Sequence, residues 1–131
     1  MSTEKELREL ENWLALNIKG WHVVYKTDLR MVLPNGKPQY WDHVQFVMWA
    51  SNWRPTTDAN QALEIRDVLR AQGWQWEGET GPDGIERTTF FRGDPGAQVA
   101  CEYDAVSFGE ALCRAAKAAV EQNGREHNFC G

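Results

Sequence analysis

The chain has 131 residues, 42% of them apolar, and a net charge of −5. That length holds one domain, 1–131, with one modest core. The acidic balance argues against general binding of nucleic acid or of an anionic membrane. No apolar run approaches the roughly 18 residues of a membrane span, and the charged start MSTEKELREL lacks a secretory apolar core, so the chain reads as cytoplasmic.

Thr3 followed by Glu6 has capping-box spacing, and Leu7, Leu10, Leu14 and Ile18 recur at helical spacing. They predict a first helix over about 4–18, stopped by Gly20. Residues 21 to 56 keep no steady period. WHVVYK and VQFVMW are short strand candidates, and LPNGKPQY holds an Asn-Gly turn between two prolines. The segment 28–56 is therefore expected to be irregular and aromatic-rich, and either functional or ordered by its own rings.

The stretch WRPTTDANQAL, residues 53–63, starts a second helix over about 58–72, ended by Gly73. Asp58 with Gln61 has capping-box spacing, and Thr57 is a rival N-cap. Ala59, Ala62, Ile65 and Leu69 form its inner stripe. Capping accounts for Thr57 and Asp58 but not for Trp53 and Arg54.

After Gly73 the pattern alternates. Strands are predicted near 74–79, 85–91 and 97–103, joined by the GPDG and GDPG turns as an antiparallel meander. A last helix over about 107–122 has Ser107 as N-cap and Phe108, Ala111, Leu112, Ala115 and Ala119 on one face. The tail 123–131 is polar and expected to fray. Helices beside an antiparallel meander make an α+β architecture.

Several of these segments together resemble the phage ABA-sandwich domain, a family of small bacteriophage and prophage proteins. A leading helix runs into Gly20-Trp21, PTTD opens the second helix, and Gly73-Trp74 precedes the meander. The last helix reads ALCRAAKAAV. The likeness runs from about Leu7 to Val120 and departs between Asp28 and Trp53, where this chain looks longer and richer in tryptophan. It implies a three-layer α-β-α sandwich with three main helices, a setting in the infected bacterial cytoplasm, and no defined activity.

Candidate chemistry is sparse. The three cysteines, Cys101, Cys113 and Cys130, are odd in number and unevenly spaced, which fits reduced thiols. Cys101 and Cys113 read as small buried residues, because nothing beside them supplies a base and an orienting group. His127 and Cys130 form the only local metal-like pair, where structural zinc needs four ligands, so no metal and no cofactor are expected. His43 beside Asp42 would point to the opposite face of an extended segment. The α-β-β-β-α ending is similar to a double-stranded-RNA-binding domain, but SFGEAL carries an acid where such domains place lysines.

The seven tryptophans carry more information. Trp13, Trp21 and Trp74 read as core. For Trp41, Trp49 and Trp53, beside Tyr40, Phe46, Met48 and Arg54, core and surface readings balance. Trp, Tyr and Arg dominate protein interfaces and also stack on flat ligands. Thr56 and Thr57 could donate to an anion at the helix start, although Asp58 opposes one there. The expected site is therefore Trp41, Trp49, Trp53, Arg54, Thr56 and Thr57. The expected function is non-enzymatic: a phage accessory protein that binds a host bacterial protein, in counter-defence. The alternative is a binder of a small-molecule nucleotide signal, with Arg54, Thr56 and Thr57 on phosphate and a tryptophan on the base.

Overall fold

A computed structural model describes residues 3–25, 38–42, 45–93 and 99–129. The elements run α1 (Glu4–Asn17), β1 (His22–Tyr25), β2 (Pro38–Asp42), β3 (Gln45–Trp49), a 3-10 turn (Ala50–Asn52), α2 (Ala59–Ala71), β4 (Gln75–Thr80), β5 (Glu86–Arg92), β6 (Val99–Ala105) and α3 (Phe108–Phe129). Among the described residues, three helices and two three-stranded antiparallel sheets make the protein α+β, as the element order implied.

Each helix begins where a short polar side chain supplies the missing acceptor. Thr3 Oγ1 accepts from the Glu6 amide at 3.2 Å, Asp58 Oδ1 from the Gln61 amide at 3.1 Å, and Ser107 Oγ from the Glu110 amide at 3.2 Å. Asp58 is thus the cap of α2. Thr57 instead turns its hydroxyl back to the Arg54 carbonyl. The Gln61 side chain does not close a capping box. It accepts from the Arg54 amide at 2.6 Å and donates to the Asn52 carbonyl at 2.9 Å, tying the helix to the chain that leads into it. After α2, Gly73 takes a φ of 99°, in the left-handed region where a Cβ would strain the backbone.

The meander β4-β5-β6 pairs in unbroken register, with Trp76 opposite Phe90 and Phe90 opposite Cys101. Strand alternation therefore sends Trp76, Thr88, Phe90 and Cys101 to one face. Phe90 and Thr88 are fully buried there, with α3 packed across β5 and β6. The α-β-α layering implied by the resemblance is a finer statement than this packing, in which α3 meets the sheet on the Phe90 face. On the opposite face Glu77, Glu79, Arg87, Glu102 and Asp104 are exposed.

α3 also packs against α2 and α1. It is buried at Ala111, Leu112, Cys113, Ala115, Ala116 and Ala119, a wider arc than the single stripe expected, because its small side chains let neighbours approach from more than one side. Its backbone stays helical through Phe129, past the end expected at 122.

The segment expected to be irregular holds ordered structure. β1, β2 and β3 form a second antiparallel sheet, with Val23 opposite Tyr40 and Tyr40 opposite Met48. Its register slips between Tyr40 and Trp41, so that Trp41 faces Phe46 and Val47 is extra. Such a bulge breaks the period-two pattern by which a strand is read from sequence. Residues 28–37 lie outside the described residues, as do His43 and Cys130.

Candidate functional site

The stretch expected to form the site turns out to be a seam inside the fold. Trp53 is completely buried, and its indole Nε1 donates to the Glu11 carbonyl at 2.9 Å. Trp21 meets its ring edge-on at 5.0 Å and stacks tilted on Tyr40 at 5.6 Å. Trp53 is therefore a core residue and presents nothing for a partner to hold. The expected surface role fails for it because its ring fills the space between α1 and the first sheet.

Glu11 organises the rest. Its side chain is 1% exposed, and its Oε2 accepts from both the amide and the hydroxyl of buried Thr56, at 3.2 and 2.9 Å. Its Oε1 lies 3.1 Å from Arg8 Nη1 and 3.3 Å from Arg54 Nε. The Arg54 Nε sits within charge reach but makes no hydrogen bond. Arg54 uses Nη2 on Glu4 at 2.9 Å, and Arg8 donates to the carbonyls of Trp53 and Ala50. A buried carboxylate survives only when paired and hydrogen-bonded, and here two guanidiniums and a threonine do both.

Residue 109 shows how tightly this seam closes. A Cβ on Gly109 would lie 2.4 Å from the Pro55 carbonyl oxygen and 2.5 Å from that of Thr56, so only glycine lets α3 touch the loop. Ser107 Oγ adds a hydrogen bond to the Thr56 carbonyl at 3.4 Å. Arg54 and Thr56 are thus committed to internal partners. They do not form the anion cradle that their sequence allowed. Thr57 is exposed, with its hydroxyl turned to the loop's own backbone.

Trp41 and Trp49 lie on the first sheet, both half-buried; Trp41 Nε1 donates to Gln39 Oε1 at 3.0 Å. They are separated from Trp53 in role: Trp53 belongs to the core, whereas these two retain an accessible part. Glu11 went unnoticed in the sequence, yet a signal was there. It stands four residues after Leu7 and three before Leu14, a charge on the apolar stripe of α1.

Among the described residues, three surfaces carry chemistry. The first is the outer face of β4–β6. Cross-strand register sets Glu79, Arg87 and Asp104 in one row and Glu77, Thr89 and Glu102 in the next. Arg87, on the central strand, reaches Glu79 at 3.1 Å and Glu102 and Asp104 at 3.0 Å each. Hydrogen bonds that it donates to Asp104 and then to Glu79 hold its guanidinium still more firmly protonated than usual. Four carboxylates to one guanidinium leave the face acidic.

The second is a groove of about 500 Å³ where α2 runs into β4, lined by Arg66, Arg70, Trp74 and Trp76. Arg66 lies over the Trp76 ring at 5.1 Å and Arg92 over Trp74 at 4.6 Å. The third is a groove of about 430 Å³ between α1, α3 and β6, with Leu10, Trp13 and Tyr103 in its wall. Cys113 belongs to none of them. It is fully buried, and burial, followed by the charges of Glu11 and Glu110, pushes its thiol pKa well above the ordinary value, while Cys101 is half-buried. No group of three or more His, Cys, Asp or Glu among the described residues is arranged to hold a metal, and no described helix is long and apolar enough to cross a membrane.

Comparison of the chain with family models, with curated proteins and with solved structures gives no match.

Proposed function

We propose that this is a non-enzymatic bacteriophage accessory protein that works in the cytoplasm of an infected bacterium by binding a host protein, in the service of counter-defence. The observation that carries this reading is the open sheet face on which Glu77, Glu79, Glu102 and Asp104 surround Arg87. An exposed acidic surface is complementary to the basic surfaces of machinery that handles nucleic acid, and charge complementarity speeds and selects such encounters. The chain's net charge of −5 adds to the attraction. The non-enzymatic reading draws on Cys113, whose burial keeps its thiol protonated and unreactive. The phage setting rests on the resemblance described above.

The test is capture from infected-cell lysate on the immobilised protein, beside a variant carrying Glu77→Lys and Glu102→Lys. The expected result is a host protein held by the wild type, released by salt and lost from the charge-reversed variant. The same capture by both proteins would sink the acidic face as the binding surface.

A second reading, binding of a nucleotide-like small molecule, has its own observation. The groove at the end of α2 sets two arginines beside two indoles, and Arg70 is exposed there. This reading uses that groove in place of Arg54 and Thr56, which are held by Glu11, and of Thr57, whose hydroxyl turns to the Arg54 carbonyl. A thermal-shift panel of nucleotides decides it, because a ligand that binds the folded state raises the midpoint by mass action. A flat panel removes this reading.

A further inference from the structure

The sheet β4-β5-β6 ends on β6, and among the described residues no strand pairs with that side of it. An edge strand offers backbone N–H and C=O groups to any extended chain that fits beside it. What lies around this edge differs on its two faces. On the outer face stand Glu102 and Asp104, both exposed. On the inner face Tyr103 is 42% exposed although it points to the same side as fully buried Thr88, its cross-strand partner. Tyr103 is one wall of the 430 Å³ groove, whose apolar part is Leu10, Trp13 and Ala118 and whose rim sets Glu6, Glu9 and Glu121 beside Arg114 and Lys117.

We propose that the outer edge of β6 and the groove beside it bind an extended segment of a partner protein in which basic and apolar residues alternate, adding it to the sheet as a fourth strand. The proposal rests on the reading that the protein acts by binding another protein, and names the chemistry of that partner.

Strand geometry dictates the alternation. Side chains of an added strand point by turns to the two faces, like those of β6 itself. Residues on the outer face would stand beside Glu102 and Asp104 and be favoured as lysine or arginine. Residues on the inner face would stand over Tyr103 and be favoured as apolar, because the acids and bases of the groove nearly balance. Lys117 already lies over the Trp13 ring at 5.4 Å, so the partner's basic residues belong on the outer face and not in the groove.

A second copy of this chain is a poor occupant. Pairing β6 with another β6 would bring Glu102 and Asp104 against the same carboxylates, and like charges across strands repel. The other edge, β4, is a poor host. Its inner face carries Gly78, and the Trp76 ring lies back over that glycine, 2.8 Å from where a Cβ would stand. The groove of about 540 Å³ beside β4 is lined mostly by polar side chains, Glu77, Glu79, Arg87 and Thr89, with Trp76 as its one large apolar wall.

The experiment uses the full chain and three synthetic peptides. One heptapeptide alternates lysine and valine, one has the same composition in blocks, and one alternates glutamate and valine. Amide hydrogen exchange read by NMR reports which edge is covered. The alternating lysine peptide is expected to slow exchange along residues 100–105 by at least about tenfold, and to bind at least about tenfold tighter than the other two. The β4 amides should be unchanged. Tyr103→Ser, checked for folding by its denaturant melt, should weaken the peptide several-fold. Equal binding of the alternating and blocked lysine peptides, or protection on β4 instead of β6, overturns strand addition and leaves only general attraction to acid. The host-protein reading is judged separately by the capture experiment, so a peptide that fails on β6 while capture succeeds rejects this mode of binding and not the reading beneath it.

Discussion

Two clusters in this protein use the same chemistry to opposite ends. At the seam, Arg8 and Arg54 converge on Glu11, whose side chain is 1% exposed. On the outer sheet, Glu79, Glu102 and Asp104 converge on Arg87, which is 45% exposed. The distances are alike, from 3.0 to 3.3 Å. The surroundings are not. At the seam, the carboxylate has left water, so every partner it loses is a partner that nothing replaces. On the sheet, water and salt stand ready to replace any of them. Equal geometry therefore makes one cluster a support of the fold and leaves the other free to meet a partner.

Substitutions can test that contrast. Trp53→Ala is expected to cost the most, about 4 kcal/mol, because the space it leaves beside Glu11 and Trp21 cannot collapse onto two packed layers. Denaturant unfolding with an unchanged m-value checks it. Glu11→Ala should cost about 3 kcal/mol, the low end for breaking a buried pair, since both arginines keep some access to water while Thr56 loses its acceptor. A loss as small as that of a surface change would show that the seam is more hydrated than its burial implies.

The buried side of the contrast also has a pH signature. Cys113 has a folded pKa raised above its ordinary value of 9.0. Below that value the thiol is protonated whether the chain is folded or not, and its contribution is fully present. Above it the unfolded chain releases the proton first, so stability should fall as pH rises past about 9, by up to about 1.4 kcal/mol per pH unit. Cys113→Ala should flatten that slope in melts taken from pH 8 to 10.5, whatever it does to the absolute midpoint.

Smaller effects come from the exposed rim. Asp58→Ala removes the acceptor for the Gln61 amide and should cost about 1 kcal/mol. Arg87→Ala should leave the melting midpoint where it is, because its carboxylates are already solvated. By unmasking three acids it should tighten binding to a basic protein surface, read by titration calorimetry at low salt and diminished at high salt. A marked loss of stability in Arg87→Ala would erase the distinction between the two clusters.

The helices were legible because helix signals are local. Thr3, Ser107 and the apolar spacing gave their starts, whereas the choice between Thr57 and Asp58, which the structure resolves with Asp58 on the Gln61 amide, and the run of α3 past 122 needed the structure. β4, β5 and β6 were legible for a similar reason, with alternation and turn residues marking each strand to within about two positions. The first sheet was legible only in part: WHVVYK and VQFVMW marked β1 and β3 as strand candidates, whereas β2 and the pairing went unread. Its strands are four or five residues long, and the slip at Tyr40 and Trp41 destroys the period. β2 also contains Pro38, Gln39 and Asp42, which are poor strand formers by composition. The expected site misplaced Trp53 and Arg54 for a deeper reason. Their partners, Glu11 and Arg8, are more than forty residues away, and no local pattern announces a contact over that distance.

That separation bears on how the chain reaches its native state. Glu11 meets Thr56 across 45 positions, and Ser107 meets the Thr56 carbonyl across 51. Contacts of this kind return nothing until long loops have closed, so they form after the helices and the local hairpins. Substitutions at the seam should then speed unfolding far more than they slow refolding. Trp53, buried among these contacts, supplies an intrinsic fluorescence signal for the event, and stopped-flow traces of the wild type beside Glu11→Ala should differ mainly on the unfolding limb. A close-fitting join between distant parts of the chain thus acts as a latch that sets the lifetime of the folded protein more than the speed of its formation.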